Sequence, residues 1–183
     1  DPWPVWRYRL GALTLTRTLF VAREAGATVV EYRLEGGNAR LELRPLIAGR
    51  DFHALVTAND VVSPRADAEA GRITYAPYPG IPPLVLSHSG GEWCDTGDWY
   101  HQMVYPREAE LGLDDREDLF CPGVLSASLE ADVTWRLACA TRPVEVEEAE
   151  LWREAERERR EEAARRGRRA AARAPQFEEL GAR

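Results

Sequence analysis

The amino-acid sequence predicts a mainly β domain of antiparallel strands, followed by a charged C-terminal α-helix. Before residue 143, apolar and polar residues alternate with a period of two, which gives each strand one buried and one solvated face. The connections between these segments carry residues typical of turns. From about residue 145 to residue 173 the residues are nearly all Glu, Arg and Ala, which favours a solvated helix.

The alternation is clearest in the first strands. Leu13, Leu15 and Leu19 share one parity, and threonines occupy the other. Turns are predicted around Gly26 and Gly36. The predicted strands are 13–21, 30–34, 41–44, 73–75, 84–86, 99–105, 124–129 and 133–141. We expect the last two to pair as a hairpin through a short turn at residues 130–132.

Two segments do not fit a strand pattern. Residues 77–83 contain four prolines, which exclude a central strand. Between residues 51 and 70 the period of two is lost. A loop of this length in a compact domain is more often functional or mobile than neutral.

The C-terminal segment has the spacing of a helix stabilised by ion pairs. Glu156–Arg160, Glu161–Arg165 and Glu162–Arg166 lie four residues apart with Glu first, and each such pair contributes ~0.2–0.5 kcal/mol. Leu151 and Trp152 are the expected apolar anchor. A coiled coil is excluded because the core positions after Trp152 are alanine at best.

Composition limits the classes of function. With 183 residues, 44% of them hydrophobic, the chain is long enough for one domain with a core. A net charge of −7 argues against nucleic-acid binding, and no apolar run approaches the ~20 residues that span a bilayer. No charged-then-apolar leader precedes the first strand.

Three widely spaced cysteines favour a reducing cytoplasm, and the histidine spacing predicts no metal site.

Two ordered motifs stand out, LELRPLIAGRDFHAL at 41–55 and WYHQMVYPREAELGLDDREDLFCPG at 99–123. The second combines an aromatic-rich strand, Tyr-Pro, a Glu-rich turn, Gly-Leu-Asp, Glu-Asp-Leu and Pro-Gly, in that order. Over residues 3–145 the chain resembles the N-terminal domain of bacterial and archaeal glycogen debranching enzymes, which carry amylo-α-1,6-glucosidase activity.

This resemblance implies an antiparallel β-supersandwich, here partial, beside a separate C-terminal barrel of paired helices that performs hydrolysis. We therefore expect a non-catalytic β domain at 1–143, a linker helix at 144–174, and the start of a connection to the catalytic domain at 175–183. The implied partners are an α-glucan such as glycogen and the catalytic domain of the same polypeptide. A homo-oligomer is a further option, and no cofactor, nucleic-acid or membrane partner is expected.

Aromatic residues are the first candidates for contacting a glucan, because flat rings pack on the C–H faces of sugars. Trp93 and Trp99 flank a loop that contains Gly and Asp, and they are the aromatics expected to be most exposed. On the predicted strand 99–105, Trp99, His101 and Tyr105 face one side and Tyr100 the other. The alternative is that both faces are packed in the core.

Glu108 and Glu110 are the candidate carboxylates. If the chain were extended here, their Cα atoms would lie ~6.5–7 Å apart on one face, near the carboxyl spacing of inverting glycosidases. The simpler interpretation is structural: Asp114 and Glu117 form a capping pattern for a short helix that runs through Leu119 and ends at Pro122–Gly123. The carboxylates then cap backbone N–H groups or pair with neighbouring arginines.

Arg50, Asp51 and His53 form the other polar group, at the start of the unpatterned loop. A bidentate Arg–carboxylate pair there would brace the loop, and the resemblance makes this region a candidate for facing the glucan or the catalytic domain.

Three hypotheses follow. The domain binds and positions a branched α-glucan for a neighbouring barrel; it is a purely structural module without sugar contact; or it is a stand-alone hydrolase that uses Glu108 and Glu110. We favour the first.

Overall fold

The computed structural model describes residues 3–51 and 53–173, with side chains as far as residue 169. Within this part of the chain, two antiparallel sheets are followed by a long helix, which confirms the predicted mainly β fold with a C-terminal helix. The strands are β1 Val5–Leu10, β2 Leu13–Ala22, β3 Ala27–Glu35, β4 Ala39–Leu43, β5 Asp67–Glu69, β6 Arg72–Tyr75, β7 Leu84–His88, β8 Glu92–Val104, β9 Arg116–Leu129 and β10 Thr134–Ala140. The helices are α1 Pro106–Glu110, a 3-10 turn Val146–Glu148, and α2 Ala149–Arg173. The predicted connection at 175–183 lies outside the described residues.

The two sheets pack face to face. The larger has the strand order β1-β2-β3-β10-β7-β6-β5, and the smaller has the order β4-β9-β8. Between them, Leu34, Ile73 and Leu86 of the larger sheet meet Leu125 and Leu129 of the smaller. The alternation seen in the sequence places one apolar face of each sheet in this interface, and burial of these faces holds the layers together. The prediction of one solvated face per strand was wrong for β2, β3 and β10, whose second face carries the buried Phe20, Val29 and Ala138.

Helix α2 covers the other face of the larger sheet. Ala149 is fully buried and Trp152 packs against a cluster that includes Phe20 and Val29. The buried carboxylate of Glu156 accepts a hydrogen bond from the backbone N–H of Arg23 at 3.1 Å. The first turns of the helix are therefore docked rather than simply solvated.

The exposed part of α2 matches its predicted pattern of ion pairs. Glu161–Arg165 and Glu162–Arg166 each lie 3.6 Å apart. Leu151, however, is 66% exposed. The prediction that it anchors the helix was wrong, because the docked face consists of Ala149, Trp152 and Glu156.

The predicted hairpin between the last two strands was also wrong. β9 pairs with β4 and β8, whereas β10 pairs with β3 and β7 in the other sheet. The intervening turn carries the chain between layers: Asp132 has a φ of 64° and donates its N–H to the carbonyl oxygen of Leu34 at 2.8 Å. Asn38 accepts the N–H of Ala131 at 3.0 Å.

No helix forms at 114–119, which corrects the predicted capping pattern at Asp114 and Glu117. The helical turn lies earlier, at α1, where Pro106 occupies the first position and needs no N–H partner. Residues 116–129 instead form one long strand. Pro122 is tolerated within it because the pairing with β8 is interrupted by a bulge between Asp95 and Asp98.

Gly123 on β9 is closed in by its neighbours. A Cβ there would overlap the carbonyl oxygen of Cys94 and the ring of Trp93. We expect Gly123→Ala to lower the free energy of unfolding by about 1–3 kcal/mol, measured by urea denaturation, since the backbone and an indole must both shift. Gly167→Ala is the control: it lies on α2 in open space, and the substitution should raise stability by up to ~1 kcal/mol. Equal stabilities of the two variants would contradict the packing.

Candidate functional site

The long loop between β4 and β5, residues 44–66, is held against the start of β9. Ile47 and Phe120 exchange two backbone hydrogen bonds of 2.9 and 3.0 Å. Among the described residues of 51–70, where loss of the period of two was predicted, the short β5 is the only strand, which confirms the prediction for the rest of that segment. Two consecutive carboxylates of β9, Glu117 and Asp118, also hold the loop.

Glu117 is the centre of a buried polar cluster. Its carboxylate accepts two hydrogen bonds from Arg50, Nε and Nη2, each at 2.7 Å, and a further one from the N–H of Val56 at 3.3 Å. The hydroxyl of Tyr105 donates to the same carboxylate. The side chain of Glu117 is only 1% exposed. The hydrogen bonds from Arg50 lower the pKa of Glu117 to about 2, against the opposing effect of burial.

The same contacts act on the partners of Glu117. The hydrogen bond to Glu117 raises the pKa of the Tyr105 hydroxyl and that of the Arg50 guanidinium. Arg50 is therefore a fixed cation and Tyr105 a fixed neutral donor. The bidentate arginine brace expected for the loop is present, with Glu117 as its partner.

Asp118 binds the next part of the loop. Its carboxylate accepts the N–H of Ala58 and the N–H of Gln102, both at 2.9 Å, and its own N–H donates to Val56 at 2.8 Å. The backbone hydrogen bond from Ala58 is the main cause that lowers the pKa of Asp118. His101 Nδ1 lies 3.3 Å from Asp118. Together, Glu117 and Asp118 form a carboxylate clamp that ties β8, β9 and the loop.

A cleft of about 680 Å³ opens beside this clamp, between the loop and α1. Its walls combine cationic, acidic, aromatic and aliphatic side chains. The lining residues are Arg50, His53, Ala54, Leu55, Tyr105, Glu108, Leu113 and Asp114. Its size lies in the range of ligand pockets.

Four of the predicted site residues line this cleft: Arg50, His53, Tyr105 and Glu108. Asp51 adjoins it and accepts the backbone N–H of His53 at 2.9 Å, with the His53 ring 3.2 Å away. Residues predicted from two separate motifs are thus brought together by the clamp.

The predicted aromatics lie elsewhere. Trp93 is half-buried at the edge of the core and donates to Asp95 at 2.8 Å. Trp99 is half-buried and packs edge to face on Phe120, with the ring centroids 5.2 Å apart. The expectation that these two would be the most exposed aromatics was wrong, because both rings pack against core clusters from their positions on β8. Tyr100 is more exposed, at 36%.

The predicted two faces of the aromatic strand also change. A bulge follows Tyr100, and Gln102 has a φ of 55°. The irregularity turns the Gln102 N–H toward Asp118 and breaks the strict alternation from Trp99 to Tyr105.

Glu108 and Glu110 do not form the extended pair considered as a catalytic hypothesis. Both belong to the helical turn α1, and residues two apart on a helix point in different directions. Glu110 pairs with Arg107 at 2.6 Å outside the cleft, whereas Glu108 lines it.

Sequence reasoning missed the role of Glu117 and Asp118. Both belong to the Glu-Asp-Leu part of the second motif, so the motif itself marked them. Their partners in the long loop lie about 60 residues away, and only the fold brings them together. Among the described residues, no cluster of His, Cys, Asp or Glu has the arrangement of a metal site, and no helix is long and apolar enough to cross a membrane.

Comparison with known proteins identifies the family. No curated protein and no solved structure matches the chain. The family model described as "Glycogen debranching enzyme N terminal" matches residues 1–135, nearly three-quarters of the sequence, and includes every residue of the carboxylate clamp and the cleft. This chain belongs to the glycogen debranching enzyme N-terminal family.

Proposed function

We propose that this chain is a non-catalytic domain that binds an α-glucan, such as glycogen, and positions it for hydrolysis of α-1,6 branch linkages. Hydrolysis takes place in a separate helical barrel of the same polypeptide, and the protein acts in the cytoplasm. Holding a polymer in register contributes to catalysis by lowering the entropic cost at the remote active site.

The observation that carries this proposal is the composition of the cleft. The Arg50 guanidinium and the ring of His53 offer hydrogen-bond partners for hydroxyls, and Glu108 and Asp114 offer acceptors. The ring of Tyr105 supplies a flat apolar surface beside them. This mixture suits a neutral sugar, which presents both C–H faces and hydroxyl edges.

A positioning role fits the chemistry better than catalysis. Hydrolysis by paired carboxylates needs two groups that face each other across the substrate, one of them with a raised pKa. Glu117 and Asp118 are both held in the charged form by hydrogen bonds and point into the clamp. We therefore expect no turnover of a branched glucan by this chain alone.

The test is glucan binding by matched variants of α1. We expect Glu108→Ala, which removes an acceptor from the cleft, to weaken binding of a branched α-glucan about tenfold, the equivalent of one good hydrogen bond of ~1.4 kcal/mol. Glu110→Ala removes a carboxylate from the same helix outside the cleft and should leave affinity within twofold. Isothermal titration calorimetry measures both.

The outcomes of that titration separate the hypotheses. Equal loss in both variants would reject the cleft as the glucan site. Absence of binding by the parent chain would favour an interdomain docking module, for which the exposed Leu111 (75%) and Leu113 (60%) beside the cleft are the supporting observation.

A further inference from the structure

The larger sheet has a basic edge. Its outermost strand, β1, carries Arg7 and Arg9, and residues 5–22 contain no acidic residue, in a protein of net charge −7. Both arginines are exposed and make no ion pair with any described residue. On the described part of the chain, no strand pairs with the outer side of β1.

The backbone of this edge is ready for pairing. The N–H of Leu19 donates to the carbonyl oxygen of Pro4. At the other end of the β1–β2 hairpin, a two-residue turn connects Leu10 to Leu13. Hydrogen bonding alternates along an antiparallel strand, so even-numbered residues of β1 point their backbone groups toward β2. The N–H and C=O groups of Arg7 and Arg9 therefore point outward.

The opposite edge of the same sheet is acidic. It is formed by β5, in which Asp67 and Glu69 are exposed and make no ion pair with any described residue. Both pair through the backbone with β6, opposite Thr74 and Arg72. The alternation leaves the backbone N–H and C=O of the intervening Ala68 facing outward.

The two charged rows lie on the same face of the sheet. Residues that are directly paired on neighbouring strands lie on the same face of the sheet. A row of such pairs connects Arg7 through β2 and β3 to Thr134 on β10. A second row connects Glu69 through β6 and β7 to Ala138 on β10. Thr134 and Ala138 are four residues apart on one strand and share a face. Arg7, Arg9, Asp67 and Glu69 therefore project from one side.

The strand directions agree as well. Every neighbouring pair in the seven-stranded sheet is antiparallel, so β1 and β5 run in the same direction. A second copy that is placed beside β1 and rotated to continue the twist of the sheet would lay its β5 parallel to β1. In the register that places Asp67 of one copy beside Arg7 of the other, Glu69 lies beside Arg9. The N–H of Ala68 can then donate to the C=O of Arg7, and the C=O of Ala68 can accept from the N–H of Arg9.

We propose that this protein self-associates head to tail, with the acidic β5 edge of one copy pairing in parallel with the basic β1 edge of the next. Charge complementarity selects this partner: two β1 edges placed together would set arginine against arginine, which is unfavourable. The contact is heterologous, so it generates an open chain of subunits rather than a closed dimer. This interface is separate from the glucan cleft.

The association should be weak and sensitive to salt. β5 has three residues, which gives an interface far smaller than that of a stable complex. Its specificity rests on two exposed ion pairs, and these are screened within a Debye length of about 8 Å at 0.15 M ionic strength.

Sedimentation of the full chain with paired charge reversals tests the proposal. For the parent, the weight-average mass should rise above 20.6 kDa with concentration at about 0.05 M salt and return to it at about 0.5 M. Arg7→Glu with Arg9→Glu makes both edges acidic, and Asp67→Arg with Glu69→Arg makes both basic. Each variant alone should remain a monomer, and an equimolar mixture should associate again, because opposite edges then meet.

The mixing step keeps the test independent of folding, since a misfolded variant would not regain salt-sensitive association in the presence of the other. Arg168→Glu with Arg169→Glu, on the exposed part of α2, is the charge-matched control and should associate like the parent. A monomeric parent at all concentrations would overturn the proposal. So would association that survives either edge reversal, or a mixture that stays monomeric.

Discussion

Replacing Glu117 with Ala should lower the free energy of unfolding by about 3–5 kcal/mol, the usual cost of removing one member of a buried ion pair. The substitution leaves Arg50, Tyr105 and the backbone N–H of Val56 without their carboxylate acceptor. Urea denaturation at neutral pH measures the change. A loss of this size is a large part of the stability of a typical domain.

The control for this substitution is Glu110→Ala. Its carboxylate forms an exposed pair with Arg107, and such pairs contribute ~0–1 kcal/mol. If Glu117→Ala cost no more than Glu110→Ala, the carboxylate clamp would not be what holds the loop.

The same residue predicts a specific dependence of stability on pH. The folded pKa of Glu117, about 2, lies below its ordinary value of 4.5. Because the pKa of Glu117 is lower in the folded state, the stabilisation that its ionised carboxylate contributes is complete above the pKa of the unfolded chain. This stabilisation is lost as the pH falls through the pKa of the folded state. We expect about 3 kcal/mol of stability to disappear between about pH 5 and pH 2. Asp118 acts in the same direction, because its pKa is also lowered.

Glu117→Gln isolates this contribution, since the amide keeps the shape of the side chain but cannot ionise. Denaturation midpoints of the two proteins, measured from pH 7 to pH 2, should differ most at neutral pH and converge in acid. Parallel curves over this range would show that Glu117 does not carry the acid sensitivity.

The strand content of this fold could be predicted because alternation is a local property. The period of two in Leu13 and Leu15 marks the face of β2 that packs toward the smaller sheet, whereas Phe20 and Ala22 on the other face are buried in the cluster against α2. The pairing of strands is not local. The chain between Leu129 and Thr134 is short enough for a hairpin. Instead, Asp132 donates a hydrogen bond to Leu34 and Asn38 accepts one from Ala131, and the strands on either side of this turn join different sheets.

The candidate site was predicted in part for a similar reason. Arg50 and His53 belong to one motif and Tyr105 and Glu108 to another, and the resemblance identified both segments. Sequence reasoning assigned Glu117 to a helix cap because its spacing from Asp114 fits a cap. In the fold, Glu117 lies on a strand, and its ion-pair partner Arg50 is far away in sequence.

The Trp residues show the limit of arguing from residue type. Trp and Tyr serve both cores and sugar sites, and only their surroundings separate the two uses. Trp99 packs on Phe120, whereas Tyr105 is fixed by Glu117 at the wall of the cleft. The difference is set by what β9 places opposite each ring.

The central claim is that the carboxylate clamp presents a cleft that contacts an α-glucan. Hydrogen–deuterium exchange of the full chain, with and without a branched α-glucan at saturating concentration, tests it most directly. We predict slower exchange in residues 53–58 and 105–114, which border the cleft, with α2 unchanged. Unchanged exchange in both cleft segments, or protection confined to other parts of the sheets, would contradict the claim.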